Sequence, residues 1–316
     1  MTRPIRRRTC LAGLAGVTVL ASDRRLWAAP APPPIPQRVL GKTLAKVSIL
    51  GLGGAHAARV KDDGQAVDLI RRAVDMGITF LDNAWLYAEG RAEQLMGRAL
   101  QGGYGEKVFL MTKTTGRDKA SALKQLDDSL RRLKVDVIDL WQAHQVTEKD
   151  EPGQILAKGG AIEAFDHARK AGKVRFIGFT GHRHPELHMQ LLASDYPWDT
   201  VQMPVNVLDP HFRSFARTVL PKAQAKAMGI IAMKTLAYGN IVKKNVVPVR
   251  EALSYVWSQP VDVLVSGIET IEQLQANVQA AREFKWMEQD EQQKLLARTR
   301  EAGHDGKLET FKAPQW

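Results

Sequence analysis

Four side chains of complementary chemistry stand at or just beyond the ends of apolar runs: Asp82, Tyr87, Lys113 and His144. The runs are Thr79–Asp82, Val108–Lys113 and Val135–His144, and Tyr87 follows Asp82 by five residues. A carboxylate, a phenol, an ammonium and an imidazole gathered at one place can deliver a proton to a carbonyl. A phenol is a poor acid at neutral pH, with an ordinary pKa of about 10. A neighbouring ammonium favours the phenolate and lowers that value. Lys113 is the candidate for this task, Asp82 balances and fixes Lys113, and His144 offers a hydrogen bond to the oxygen that gains charge. Singly, each residue has a plainer explanation: a buried ion pair, a structural histidine, a phenol in a loop. The joint pattern is the signal.

Such groups need strands to carry them. From residue 39 onward, eight apolar runs alternate with amphipathic stretches: Val47–Gly54, Thr79–Asp82, Val108–Lys113, Val135–His144, Val174–Thr180, Thr200–Asn206, Gly229–Lys234 and Val261–Gly267. They are rich in Val, Ile, Leu and Phe without strict alternation, as strands buried on both faces are. Helical patterns are expected over 64–76, 90–100, 119–133, 160–171, 185–193, 211–227, 249–258, 270–283 and 288–301. Eight β–α alternations predict an α/β fold, a (β/α)8 TIM barrel, whose function sits at the C-terminal strand ends. An open doubly wound sheet is the alternative. It calls for a Gly-x-Gly-x-x-Gly turn that Gly51-Leu52-Gly53-Gly54 does not supply. Residues 38–43 with 46–48 read as a β-hairpin ahead of the first barrel strand, placed to plug the barrel's N-terminal end.

The 316-residue chain has a formal net charge of +11, with 44% hydrophobic and 25% charged residues, the balance of a soluble globular protein. Within the first 38 residues, Arg3, Arg6, Arg7, Arg8, Arg24, Arg25 and Arg38 face only Asp23, so more than half of the charge is concentrated there. The basicity is therefore no nucleic-acid signature, and no nucleic-acid-binding motif accompanies it. Basic residues precede an apolar stretch from Cys10 to Ala21, and Arg7-Arg8-Thr9-Cys10-Leu11 resembles a twin-arginine export signal. Residues 1–37 are expected to be a signal peptide and Pro-rich linker, and 38–316 the barrel. The expected partner is the twin-arginine export machinery, and the expected location is periplasmic or otherwise exported, with the cytoplasm as the alternative. Cys10 is the only cysteine, so thiolate metal sites and an iron–sulfur cluster are not expected. His182, His184, His188 and His211 match no metal-ligand spacing.

The segments Phe80-Leu81-Asp82-Asn83-Ala84-Trp85-Leu86-Tyr87, Glu93-Gln94-Leu95-Met96-Gly97, Thr112-Lys113 and Asp139-Leu140-Trp141-Gln142-Ala143-His144 together resemble those of the aldo-keto reductase family. The resemblance runs from about residue 38 to residue 284. It implies an oxidoreductase that transfers a hydride between a nicotinamide cofactor and an aldehyde or ketone. Tyr87 is then the general acid, Lys113 and Asp82 its tuning partners, and His144 the donor that orients the carbonyl. The resemblance also implies cofactor contacts. Thr180 and Gln202 would meet the carboxamide, and Met233, Lys234, Thr235, Leu236 and Gly239 the nicotinamide and pyrophosphate. Ser266, Gly267, Ile268, Gln273 and Asn277 would hold the adenosine end.

The chain departs from the family pattern at several of these positions. Gly181 stands where an Asn is common, Met233 where an aromatic often stacks, Gln273 where many members carry an arginine, and Gly267 at a lysine position, with Glu269 close by. Fewer cations and one carboxylate make a 2′-phosphate less welcome. NADP(H) is the expectation from the family, and NAD(H) the alternative. Trp85, Trp141, Met203 and the tail around Phe311 and Trp316 are candidates for the substrate wall. A different class of function, a nucleotide-binding regulatory or partner subunit with weak turnover, fits the same barrel.

Overall fold

Period-two alternation along eight parallel strands decides where the functional residues go. The computed structural model describes residues 32–312. The proposed signal at Arg7 and Arg8, the apolar stretch behind it, and Trp316 lie outside the described residues. A short antiparallel hairpin, β1 (Gln37–Val39) and β2 (Lys46–Ser48), precedes the barrel. The barrel strands are β3 (Leu50–Gly53), β4 (Phe80–Asp82), β5 (Phe109–Thr114), β6 (Ile138–Ala143), β7 (Val174–Thr180), β8 (Thr200–Pro204), β9 (Gly229–Met233) and β10 (Val263–Ser266). They close in sequence order, with β10 pairing β3. The expected (β/α)8 barrel and its N-terminal hairpin are therefore both present, and the open-sheet alternative is not.

The helices are α1 (Gly54–Ala57), α2 (Asp63–Asp75), α3 (Arg91–Ala99), α4 (Lys119–Leu133), α5 (Glu151–Leu156), α6 (Ala161–Lys170), α7 (Pro185–Ala193), α8 (Phe215–Thr218), α9 (Leu220–Ala225), α10 (Asn240–Lys243), α11 (Val249–Trp257), α12 (Ile271–Arg282) and α13 (Gln289–Gly303). Local chemistry starts several of them. Asp62 and Asp118 accept hydrogen bonds from the amides of Gln65 and Ser121, capping α2 and α4. Thr270 caps α12 in the same way, and Glu288 with Glu291 forms a capping box on α13. The single helix expected over 211–227 is instead two short ones. Pro221 has no N–H for the carbonyl four residues back, and the helix breaks at Val219. Helices α1, α5 and α10 were not anticipated.

The strand side chains sort into two cores. Phe80, Phe109, Met111, Leu140, Ile231 and Val263 point inward and pack together, and Leu40 and Val47 from the hairpin region belong to the same cluster. The Phe80 and Phe109 rings stack with centroids 5.5 Å apart. The hairpin thus closes the N-terminal end of the barrel. The alternate residues face the helices: Leu81, Leu110, Trp141, Ile177, Val201 and Met203 join the outer core. Trp141 and Met203 are accordingly not pocket walls. Trp141 is fully buried, and its ring meets Phe165 of α6 at 4.7 Å. Continuing the inward set toward the C-terminal ends leads from Phe80 to Asp82, from Met111 to Lys113, and from Leu140 through Gln142 to His144.

The tail beyond α13 is irregular in form but tightly held. Lys312 Nζ donates to Asp209 Oδ1, Glu309 Oε2 and the Phe212 carbonyl, each at 2.8 Å. Asn206 Nδ2 donates to Glu309 Oε1 at 2.8 Å, and the Lys312 and Asp209 side chains are completely shielded from solvent. Asn240 holds the Leu308 carbonyl at 2.8 Å. Phe311 lies between the rings of His182 and Tyr238, at 6.0 and 5.6 Å. Of the tail residues expected near the pocket, Phe311 therefore sits at the barrel mouth. Removing one partner of a buried charge cluster typically costs about 3–5 kcal/mol because the other charges stay buried unpaired. Lys312→Ala is expected to lower stability by about that amount, read from the midpoint of urea unfolding. An unchanged midpoint would show that the clasp contributes nothing.

Candidate active site

All four residues singled out for chemistry meet at the C-terminal mouth of the barrel. Asp82 ends β4, Lys113 lies in β5, and His144 follows β6. Lys113 is 1% exposed and uses all three of its donors. Its ammonium donates to Asp82 Oδ1 at 2.5 Å, to the Asn83 carbonyl at 2.7 Å and to the Tyr87 hydroxyl oxygen at 3.2 Å. Asp82 Oδ2 accepts from Gln202 Nε2 at 2.5 Å, so both carboxylate oxygens are engaged. With a lone pair on its oxygen taken by Lys113, Tyr87 has its own proton free to donate elsewhere. The Tyr87 and His144 rings meet edge to face, with centroids 5.4 Å apart.

The loop that presents Tyr87 is fastened at both ends. The amides of Asn83 and Trp85 donate to the carbonyls of Met111 and Lys113, at 3.0 and 3.1 Å. Asn83 Nδ2 reaches the Ala92 carbonyl at 3.0 Å. After Tyr87 the backbone turns through three successive positive φ values, 49° at Ala88, 55° at Glu89 and 92° at Gly90. Beneath this turn the fully buried Glu93 accepts from Thr112 Oγ1 at 2.6 Å and from Arg132 Nη1 at 3.2 Å. Arg132 also holds the Trp85 carbonyl at 3.0 Å. The Glu93–Gly97 segment noted in the sequence is thus part of the support under Tyr87.

The electrostatics set three protonation states. Burial, and then the Asp82 carboxylate, push the Tyr87 phenol well above its ordinary value. This corrects the expectation that Lys113 would lower it: with Asp82 paired so closely, the ammonium's field at the phenol is largely cancelled. Burial lowers the Lys113 ammonium, and Asp82 opposes that shift. Burial, reinforced by Lys113, drives His144 well below the usual imidazole range. His144 is therefore neutral, and its Nδ1 is buried without a hydrogen-bond partner.

The residues expected around a cofactor occupy the same rim in two groups. Thr180, Gln202 and Thr235 are buried beside the four central residues or along the adjoining strand ends. Gln202 Oε1 and Thr235 Oγ1 are, like His144 Nδ1, buried polar atoms without partners. Met233 and Leu236 are half-buried, and Lys234 and Gly239 take positive φ values of 60° and 84°. Lys234 Nζ lies over the Tyr238 ring at 4.2 Å. At the second group, Asn277 is buried and donates to Ser266 Oγ at 2.9 Å, while Ile268 is fully buried. Gln273 is exposed, and its Oε1 accepts from the Glu269 amide at 2.9 Å. Orphaned donors and acceptors at the strand ends suit a planar amide bearing both kinds of group, so the residues present fit a nicotinamide. At Gly181, a Cβ would lie 2.6 Å from the Val146 carbonyl oxygen, so an Asn there would need the loop to move.

Sequence reasoning missed Tyr238, His56 and Arg59, and the pairing of Gln202 with Asp82. Tyr238 follows the seventh barrel strand, β9, and acts on Tyr87 electrostatically. His56 and Arg59 follow the first, β3. Their positions after strand ends were the available signal, because this face of a barrel carries function. Among the described residues, no group of three or more His, Cys, Asp or Glu is placed to hold a metal ion. No helix among them is long and apolar enough to cross a membrane.

Comparison with known proteins agrees with this geometry. Residues 49–250 match the profile of the Aldo/keto reductase family. The chain belongs to that family. An aldo-keto reductase of Bacillus subtilis is 28% identical over 219 residues, covering 65% of this chain and 61% of that relative. An aldo-keto reductase from Bacillus halodurans, solved in its holo form, superposes with a TM-score of 0.71 at 25% identity, over 84% of this chain and 96% of that one. An aldo/keto reductase from Klebsiella pneumoniae, solved with NADP and acetate, shares the fold with a TM-score of 0.68 at 24% identity, over 83% and 95% of the two chains.

Two further histidines, His188 fully buried and His182 half-buried, give the site a pH signature. His188 contacts the Gln202 carbonyl at 3.4 Å, and His182 the Phe311 carbonyl at 3.3 Å. Burial pushes each down to about 4 from an ordinary 6.5. Unfolded imidazoles take up protons below about pH 6.5 while the folded ones stay neutral to about pH 4, so stability present above that window is lost as pH falls through it. Each histidine contributes a slope of about 1.4 kcal/mol per pH unit. Urea unfolding between pH 7 and pH 4.5 is expected to show this decline, and His188→Gln to reduce the slope by one proton. A flat profile would contradict the lowering of these two imidazoles in the folded state.

Proposed function

We propose that this member of the aldo/keto reductase family is a nicotinamide-dependent oxidoreductase that interconverts a carbonyl and an alcohol, with Tyr87 carrying the proton. The observation that carries the reading is the Asp82–Lys113–Tyr87 chain of hydrogen bonds, at 2.5 and 3.2 Å, beside a neutral His144. Tyr87 stays protonated at neutral pH and so arrives as a competent donor. A forming alkoxide is a stronger base than a phenolate, which makes the transfer from Tyr87 favourable. The Lys113 N–H at 3.2 Å then hydrogen-bonds the phenolate oxygen left behind, and Asp82 and Gln202 keep Lys113 in place. Neutral His144 has one N–H to offer the carbonyl oxygen as charge develops on it.

A bound nicotinamide dinucleotide supplies or accepts the hydride. Gln202 Oε1 is free to receive the carboxamide N–H, and Thr180 and Thr235 lie along the same rim. Lys234 has no carboxylate partner among the described residues and suits the pyrophosphate. Ser266, Gly267, Ile268, Gln273 and Asn277 form the adenosine end. The substrate is a small carbonyl compound, bounded by Trp85, Tyr238, His182 and Phe311. The twin-arginine-like signal supports export of the barrel to the periplasm, with the residues ahead of β1 as signal and linker. Cell fractionation that finds the full-length chain only in the cytoplasm would overturn the export reading.

The activity is tested by nicotinamide oxidation with a panel of aldehydes, ketones and quinones. Tyr87→Phe is expected to lower kcat roughly a hundred- to ten-thousand-fold, the span of a lost general acid, while nucleotide binding persists. Unchanged turnover in Tyr87→Phe would remove the assignment. Tight nucleotide binding with negligible turnover in the native chain would leave it as a binding subunit.

A further inference from the structure

The adenosine end holds a feature that the sequence reading did not anticipate. Glu269, just beyond β10, pairs with Arg59, which comes from the loop after β3. Arg59 Nη1 lies 3.0 Å from Glu269 Oε1, and the two side chains are 61% and 40% exposed. The loops after the first and last barrel strands therefore touch through one ion pair. Beside it, the His56 ring fills the space in front of Gly267. A Cβ at that position would lie 2.5 Å from His56 Nδ1. A side chain at 267 would require the His56 ring to move. Burial, then Arg59, lower the His56 imidazole, so it is neutral near pH 7 and contributes no cation itself. Gln273 is occupied with the Glu269 amide. The carboxylates of this stretch are Glu269 and Glu272, and the guanidinium that reaches it, Arg59, is held to Glu269.

The chemistry of that pair matches the one difference between the two dinucleotides. A guanidinium binds a phosphate in a bidentate fork, and a carboxylate accepts from a ribose hydroxyl and repels a phosphate. An exposed ion pair is held weakly, so its members can exchange partners at little cost. We propose that Arg59 and Glu269 form an exchangeable pair that admits both dinucleotides, Arg59 turning to the 2′-phosphate of NADP(H) and Glu269 accepting the free 2′-hydroxyl of NAD(H). This rests on the proposed placement of the adenosine end at Ser266–Asn277. The missing cations at 267 and 273 are then replaced from a different strand end, and the adjacent carboxylate prevents a strong preference for the phosphorylated form.

The test is equilibrium binding, by titration calorimetry of the full chain with NAD+, NADP+ and adenosine 2′,5′-bisphosphate. Arg59→Ala is expected to weaken NADP+ and the bisphosphate by about tenfold or more while leaving NAD+ within about threefold. Glu269→Gln is expected to tighten NADP+ several-fold and to weaken NAD+. Arg59→Lys keeps the charge but loses the fork, and should fall between native and Arg59→Ala. If the Arg59 and Glu269 variants move NAD+ and NADP+ by equal factors, the exchangeable pair is wrong while the oxidoreductase reading stands. If neither dinucleotide binds the native chain, that reading fails and the pair fails with it.

Discussion

The ion pair between Lys113 and Asp82 is the interaction on which the site is built. Both side chains are almost wholly withdrawn from water, at 1% and 4% exposure. A buried charge is tolerated only when its partners are complete, and these are. Three acceptors surround the ammonium, and the second carboxylate oxygen is taken by Gln202. Four strands contribute to or border this arrangement, so the barrel cannot shift one strand without breaking it. The phenol and the imidazole then inherit their properties from it: the paired charges nearly cancel at Tyr87, while the ammonium still disfavours a second cation at His144.

Much of this was legible in the sequence because a TIM barrel converts linear pattern into geometry simply. Each apolar run ends where the mouth begins, so the residue closing a run marks the functional face. That logic placed Asp82, Lys113 and His144 correctly without knowledge of any contact. It failed for Trp141 and Met203, since both runs lack strict alternation and the sequence offered no sign of which neighbours face the helices. The inward set became readable only once Gln142 and Gln202 were seen inside the barrel, with Trp141 and Met203 one residue out of phase. The break at Val219 was missed because apolar periodicity over 211–227 outweighed Pro221 in the reading.

The sign of the shift at Tyr87 is a different kind of miss. Residue types alone say that an ammonium sits near a phenol. They do not say that the ammonium's charge is already balanced at 2.5 Å. Contacts between loops were equally hidden. Arg59 and Glu269 are 210 residues apart in the chain, and nothing local in either segment announces the other. The closure of the barrel, β10 against β3, is what brings them together.

The clasp at the tail has a consequence in time as well as space. Lys312 and Glu309 leave the ribosome after every barrel strand, and Asp209 and Asn206 precede them by about a hundred positions. Until they arrive, the Asp209 carboxylate has hydrogen bonds from Ser214, Phe215 and Ala216 but no cation, and Phe311 is not there to complete the mouth. The barrel can close its strands before this point, but the mouth is finished only when residues 309–312 have been added. A chain without residues 309–312 would thus keep its eight strands and lose the wall that Phe311 forms against His182 and Tyr238.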